Sequence, residues 1–309
     1  MRNKAQLSGL YRSRARRVTL CVALGACLVS AGCAWEQFLA FVEPVAAFQV
    51  PSEDDAAPDA ALVETVEPSV VPFGVGEYLE FSVSYNVIQA GTATLSVDAI
   101  EEIGGHECYR LVSTTRSNGF VSTFFEVKDD VQSFMDVHGL FSRKFERHLR
   151  EGDYVKDEVV YIEEEAGMAY YDDGDTVDVQ PSSQDALSAL YFVRTLDLKV
   201  GTTVAFPNHT GKKNYPMRVL VLGKEKIKTP AGRFTCIVVE PRLKAAGIFK
   251  HKGKLTVWIS DDERRIPVMM KSKVTIGAIT ATLTRWRPGR PLGADAEETG
   301  PLNGSDLSP

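Results

Sequence analysis

The chain has 309 residues, 44% of them hydrophobic and 25% charged, and carries a formal net charge of −6. An acidic balance argues against an electrostatic grip on nucleic acid or on anionic lipid. The five cysteines form no CxxC pair and no Cys/His cluster, which leaves zinc and dithiol redox chemistry without support, and no cofactor motif stands in the chain.

Residues 1–33 hold Arg2, Lys4, Arg12, Arg14, Arg16 and Arg17, no acid, and an apolar run from Val18 to Val29 that closes on Ser30-Ala31-Gly32-Cys33. A basic start, a short apolar run and small residues ahead of a cysteine predict an export signal over residues 1–32, cleaved to leave a lipid-bearing Cys33 at the new N-terminus. The run is too short to cross a hydrocarbon core of about 30 Å. Leu24-Gly25-Ala26-Cys27 is the alternative lipidation site, with the Leu that bacterial lipoprotein signals favour three residues before the cysteine. Cleavage there would leave a very short apolar segment after Arg17 and strand Leu28 and Val29. A plain secretory cut near Ala31 is a third reading. The residue after Cys33 is Ala34 rather than Asp, which by the enteric sorting rule favours the outer membrane. The expected location is therefore a membrane-anchored lipoprotein facing the periplasm.

Ala34 to Pro72 carries eight acids and no base, and Pro288 to Pro309 four acids and one base. Both segments are rich in Ala, Pro and Ser and lack apolar periodicity, so residues 33–72 are predicted to be a disordered tether and 288–309 a disordered tail. Loss of the six signal cations takes the net charge from −6 to −12, and most of that excess sits in these flanks. A β domain over residues 73–287 remains, long enough for one large core.

From Tyr78 onward the dominant signal is strict alternation. In Tyr78-Leu79-Glu80-Phe81-Ser82-Val83-Ser84-Tyr85 the residues at 79, 81, 83 and 85 share one face, the period of a half-buried strand. Similar stretches run over 92–100, 108–117, 125–135, 141–150, 155–163, 168–171, 215–222, 234–241, 253–260, 267–274 and 278–286. Turn chemistry separates many of them, as at Gly104-Gly105, Gly152-Asp153, Asp173-Gly174 and Pro230-Ala231-Gly232. Gly91 and Gly232 read as tight-turn glycines. The fold class that follows is mainly all-β: a long antiparallel meander of about a dozen strands curled into a half-barrel or barrel. Ser182 to Arg194 breaks the rhythm, opening with capping residues and placing Ala186, Leu187, Leu190, Tyr191 and Arg194 on helical spacing. It is expected to form one amphipathic helix packed on the concave side of the sheet.

From Gly76 the residues resemble the bacterial DUF3108 family, a domain of unknown function found in exported proteins. The resemblance rests on Gly76-Glu77-Tyr78-Leu79-Glu80-Phe81, Ala90-Gly91-Thr92-Ala93, Ser188-Ala189-Leu190-Tyr191-Phe192-Val193-Arg194 and Thr229-Pro230-Ala231-Gly232-Arg233-Phe234. Trp258-Ile259-Ser260-Asp261-Asp262, Arg265-Ile266-Pro267 and Ile276-Gly277 complete it. It implies no activity and no catalytic residue. At the level of fold the chain also resembles lipoprotein carriers of the LolA/LolB type, which hold acyl chains in an open half-barrel.

No active-site constellation emerges. Asp261, Asp262, Glu263, Arg264 and Arg265 read as a charged turn, Ser188 lacks a Gly-x-Ser-x-Gly elbow, and the histidines are scattered. Glu163-Glu164-Glu165 and Asp172-Asp173-Gly174-Asp175 lack the spacing of a calcium loop and read as solvated turns. Cys108 and Cys236 can either bond to each other or rest as buried free thiols. The aromatics Phe81, Tyr85, Phe125, Tyr191, Phe192 and Trp258 either fill a core or line a cavity for an apolar ligand. Lys244 to Lys254 is either a basic docking patch or a mobile hairpin loop. The leading expectation is a non-enzymatic envelope lipoprotein whose β domain binds a hydrophobic or amphiphilic ligand such as a lipid. The alternative is an assembly lipoprotein that binds another envelope protein through a sheet edge or the Lys244–Lys254 loop, and an enzyme of an undescribed type is third.

Overall fold

The computed structural model describes residues 63–65, 70–243, 254–273 and 277–290. The signal, both candidate lipidation cysteines (Cys27 and Cys33), most of the tether, most of the Lys244–Lys254 segment and the tail lie outside the described residues. The strands are β1 (Val63–Thr65), β2 (Tyr78–Tyr85), β3 (Ile88–Ile103), β4 (His106–Ser117), β5 (Lys128–Asp136), β6 (Ser142–Glu151), β7 (Tyr154–Glu163), β8 (Met168–Tyr171) and β9 (Thr176–Asp178). They continue as β10 (Thr203–Thr210), β11 (Lys213–Thr229), β12 (Gly232–Leu243), β13 (Leu255–Ser260), β14 (Pro267–Lys273) and β15 (Ala278–Arg287). Among the described residues two helices interrupt them, α1 (Gly119–Ser122) and α2 (Ala186–Arg194).

All fifteen strands belong to one sheet, in the order β1-β10-β11-β12-β13-β14-β15-β2-β3-β4-β5-β6-β7-β8-β9. Two meanders, β2 to β9 and β10 to β15, are thus joined where the last strand pairs with β2, with Ile279 opposite Tyr85 and Leu283 opposite Phe81. The all-β meander is the one the alternation predicts. On β2, Leu79, Phe81 and Val83 are fully buried while their neighbours are half-exposed, because successive side chains leave opposite faces of a pleated strand.

Three strands escape the sequence pattern. β10 puts Asn208 where an apolar residue would continue the phase of Val204 and Phe206, buries His209 on its other face, and carries Pro207, which stands opposite Pro216. β9 has only three residues. β1 falls within the segment expected to be a tether: Val63–Thr65 pairs in parallel with Thr203–Ala205.

The backbone ladder does not close between β9 and β10. Residues Ser183–Asp185 fill part of the gap as a single bridging rung: the Gln184 amide donates to Pro207 O at 3.0 Å, the His209 amide to Gln184 O at 2.8 Å, and the Ser142 amide to Ser183 O at 3.1 Å. Side chains fasten the rest. The Lys212 amide donates to Tyr171 Oη at 2.8 Å, Tyr171 Oη lies 2.8 Å from His209 Nε2, His209 Nδ1 lies 2.8 Å from Asn214 Oδ1, and Asn214 Nδ2 donates to Asp178 O at 2.8 Å. With Tyr171 donating to Nε2, the His209 proton sits on Nδ1 and donates to Asn214. Burial lowers the pKa of this histidine, in keeping with the neutral ring the chain of bonds requires.

α2 sits inside the curl. It is more enclosed than amphipathic spacing predicts, since all nine of its residues are buried. A helix buried on every side needs both ends satisfied. Asp185 caps the start, its Oδ1 accepting from the Leu187 and Ser188 amides at 2.7 and 2.9 Å and its Oδ2 from Ser133 Oγ and Ser142 Oγ, each at 2.5 Å. Ser188 Oγ accepts in return from the Asp185 amide at 2.9 Å, so this hydroxyl is a capping group rather than a nucleophile. At the other end Arg194 makes a two-pronged pair with Glu77, both contacts 2.7 Å, and its Nε donates to Arg265 O at 2.9 Å. Three separated sequence motifs, around Glu77, Arg194 and Arg265, therefore meet in one buried clamp that closes one end of the barrel.

Candidate functional site

In an up-and-down meander every second turn lies at the same end of the barrel. The end opposite the Glu77–Arg194 clamp gathers the β2–β3 turn, α1 and the β6–β7 turn. It is unusually apolar for a surface: Val87 is 97% exposed, Phe120 56%, Phe124 59% and Val155 60%. Phe120 and Phe124 meet edge to face, centroids 5.8 Å apart. The local reason for α1 is its cap, Asn118, whose Oδ1 accepts from the Val121 amide at 3.0 Å while Nδ2 donates to Gln89 O at 2.7 Å, tying the short helix to β3.

Between α2 and the sheet, on the half of the strands nearer this rim, lies a cavity of about 50 Å³. The α2 side is Ala186, Leu187 and Leu190; the sheet side includes Phe81, Leu95, Val131, Leu255 and Met270. A smaller apolar void of about 20 Å³, between α2 and β10 to β13, shares Leu190 with it. A water-sized group needs roughly 10–15 Å³ on this scale, so the larger space takes several such groups without rearrangement.

Among the described residues lining the larger cavity, Asp129 is the one that ionises. It is 1% exposed and lies on β5 directly opposite Thr115 of β4, on the same face as Val131. Its Oδ1 accepts from the Arg150 amide at 2.9 Å, and its Oδ2 makes no hydrogen bond. Burial pushes the carboxyl up to about 7, opposed by the Arg150 amide and the Arg116 charge. Sequence reading passed over Asp129, although an acid at the inward phase of the 125–135 alternation was the available signal.

The six aromatics singled out from the sequence do not line one chamber. Phe81 is fully buried and does line the cavity. Tyr191 packs edge to face on Phe73 at 5.0 Å, and Phe192 on Phe206 at 5.0 Å. Tyr85 is half-buried near the rim, and the ring of Phe125 lies against Gly152. Trp258 is on the opposite face from the cavity-lining Val257 and Ile259, and its Nε1 donates to Glu225 Oε2 at 2.8 Å. Of these six, Tyr191 and Phe192 are engaged in ring contacts and Trp258 in an indole hydrogen bond.

Other sequence expectations resolve individually. Cys108 and Cys236 are buried free thiols, on strands six places apart in the sheet, so the bonded alternative is corrected. Burial pushes their thiols up to about 11 and about 12. Asp262 organises the turn after β13, accepting from Ser260 Oγ at 2.9 Å and from the Arg264 amide at 3.1 Å. Lys212 pairs with both Asp173 and Asp175. Among the described residues no group of three or more His, Cys, Asp or Glu side chains is placed to hold a metal ion. Gly91 is not a turn residue: it lies inside β3, where a Cβ would come 2.1 Å from Arg116 O, so glycine is required by the close approach of β4. Gly232 does take the turn conformation, at φ 138°.

The model of the DUF3108 family, a protein family of unknown function, matches residues 80–284. The chain belongs to the DUF3108 family. Its clamp, cavity and rim residues Phe120 and Phe124 all lie in or beside the matched span. Among solved structures, this DUF3108 chain is similar to a β-barrel-like protein of the DUF1849 domain from Brucella abortus, at 9% identity and a TM-score of 0.49, covering 71% of this chain and 99% of that one. It is also similar to a Bacteroides fragilis protein assigned as exported, with a YmcC-like fold, at 11% identity, a TM-score of 0.32 and coverage of 71% and 99%. A protein from Parabacteroides distasonis assigned as a lipoprotein gives 12% identity, a TM-score of 0.33 and coverage of 72% and 100%. No curated protein matches the sequence.

Proposed function

We propose that this DUF3108 protein is an exported, lipid-anchored component of the bacterial envelope, facing the periplasm from the outer membrane, whose barrel binds a hydrophobic or amphiphilic ligand without chemical conversion. The observation that carries the reading is the apolar cavity between α2 and the sheet, under a rim that exposes Phe120 and Phe124. Exposed aromatics at the mouth of an apolar space suit entry of a ligand that must leave a membrane or a micelle. The anchor rests on residues 1–33, and the acidic segment after Cys33 would act as the leash.

Native mass spectrometry of the chain from residue 34 onward, expressed in an envelope-competent host, tests it. All described elements and the core lie between Val63 and Arg290, so this chain keeps them. A removable mass identified as an amphiphile is expected. A clean apo mass, together with no uptake of added lipid, would overturn the reading.

A second reading, an assembly factor that binds another envelope protein, draws on the same exposed Phe120–Phe124 pair. The free sheet edges favour it less, because β1 and β9 offer only three residues each. A photo-crosslinking residue at position 120 that captures a defined protein, in place of lipid, would move the assignment to this reading.

A further inference from the structure

We propose that Asp129 is the specificity residue of the cavity and that the ligand it selects is a cationic amine carrying an apolar body. The inference rests on the ligand-binding reading above and goes beyond it by naming the headgroup chemistry. A carboxylate that is 1% exposed, with Oδ2 free of any hydrogen bond, stands in a wall that is mostly apolar, with Phe81, Leu95, Val131, Leu187 and Met270, and otherwise offers only the hydroxyls of Thr94, Ser113 and Thr115. A buried acceptor left without a hydrogen bond is costly, and a ligand donor recovers that cost. An ammonium group supplies both the donor and the compensating charge.

Among the described residues no side chain forms an ion pair with that carboxylate, although Arg116 and Arg150 act on it from a distance. Arg150 of β6 reaches Asp129 only through its backbone amide, and its guanidinium is engaged with Asp157. Arg116 of β4 donates to the Asp129 carbonyl oxygen at 2.6 Å and to Asp130 Oδ1 at 2.6 Å, not to the Asp129 carboxyl. Asp130, the adjacent acid, is taken by Arg116. The residues that face Asp129 from α2, β2, β3, β13 and β14 carry no charge. A carboxylic acid ligand would bring a second negative charge into this site, and a neutral alcohol would supply a donor without charge.

The test is calorimetric titration of the chain from residue 34 with n-octylamine, n-octanol and n-octanoate at pH 8 and pH 5.5. The amine should bind at least tenfold more tightly than either of the others at pH 8. Its affinity should fall by about thirtyfold at pH 5.5, where a carboxyl titrating near 7 is protonated while the amine stays charged. Asp129→Asn should abolish both the preference and the pH dependence; Leu187→Phe, which fills the cavity, should weaken all three probes alike. Equal binding of the three probes with a flat pH profile in the unmodified chain would overturn the assignment of Asp129 and leave the ligand-binding reading standing. Failure of the unmodified chain to bind any of them would overturn both.

Discussion

Burial withholds water from the Asp129 carboxylate, and the sign of the resulting pH dependence can be worked out. Its ordinary value is 3.8 and its folded value about 7, so between these limits the folded chain holds a proton that the unfolded chain has lost. Stability conferred by the protonated form is therefore complete near pH 4, declines as pH rises through this window and levels off above it. A shift of this size corresponds to an order of 4 kcal/mol. Asp129→Asn should be more stable than the parent by roughly 2–4 kcal/mol at pH 8 and no more stable near pH 4, as read by urea unfolding at the two values. Gly91 makes a different residue-scale prediction. Its missing Cβ is what lets the Arg116 carbonyl approach, so Gly91→Ala should cost about 3 kcal/mol by forcing β3 from β4, again measurable in urea. Neither residue could be assigned this way from sequence. Alternation places Asp129 on the inward phase of its strand without showing that it is enclosed, and Gly91 reads as a turn glycine, because the close approach of the neighbouring strand is set by register.

Among the elements, α2 was the most legible from the residues. Asp185 caps it and Ser188 answers, as the opening Ser-Ser-Gln-Asp foretold. What the spacing left open was the enclosure of its polar end. Arg194 points into the protein because Glu77 lies 2.7 Å from both of its terminal nitrogens and the Arg265 carbonyl accepts from Nε. Removing one partner leaves the other charged and buried, so Glu77→Ala should destabilise the fold by about 3–5 kcal/mol, whereas Glu77→Leu combined with Arg194→Met should restore most of the loss. Denaturant midpoints of Glu77→Ala and of the double variant check this. If the clamp serves only packing, the double variant will also keep the native chemical shifts of residues around the cavity.

At the scale of the whole molecule the decisive feature is a sheet that curls without closing its ladder. The gap is held by the Ser183–Asp185 rung and by the Lys212–Tyr171–His209–Asn214 chain, which depends on an uncharged imidazole. Burial lowers the His209 pKa, so below about 6.5 the unfolded chain binds a proton that the folded one resists, and stability falls as the pH drops through that range. Amide exchange of β8 and β9, corrected for intrinsic rates, should accelerate between pH 7.5 and pH 5.5 relative to β3 and β4, and Tyr171→Phe should show the faster exchange already at pH 7.5. A barrel that loosened uniformly across all strands would contradict this account of the seam.

The sequence by itself determined the all-β meander, the start of α2 and the family, because side-chain alternation, capping and short ordered motifs are local properties that each segment carries with it. Twelve of the fifteen strands were readable in this way; β1, β9 and β10 were not, the first two being short and the third carrying Asn208 at an inward position and a buried His209 on its other face. Only the tertiary structure decided which aromatics pack and which line space, that the two thiols stay apart, and that one acid of the Asp129-Asp130 pair is buried while its neighbour is half-exposed and paired to Arg116. Those outcomes depend on which strand stands beside which across a hundred residues or more, and alternation fixes the two faces of a strand without specifying its neighbours.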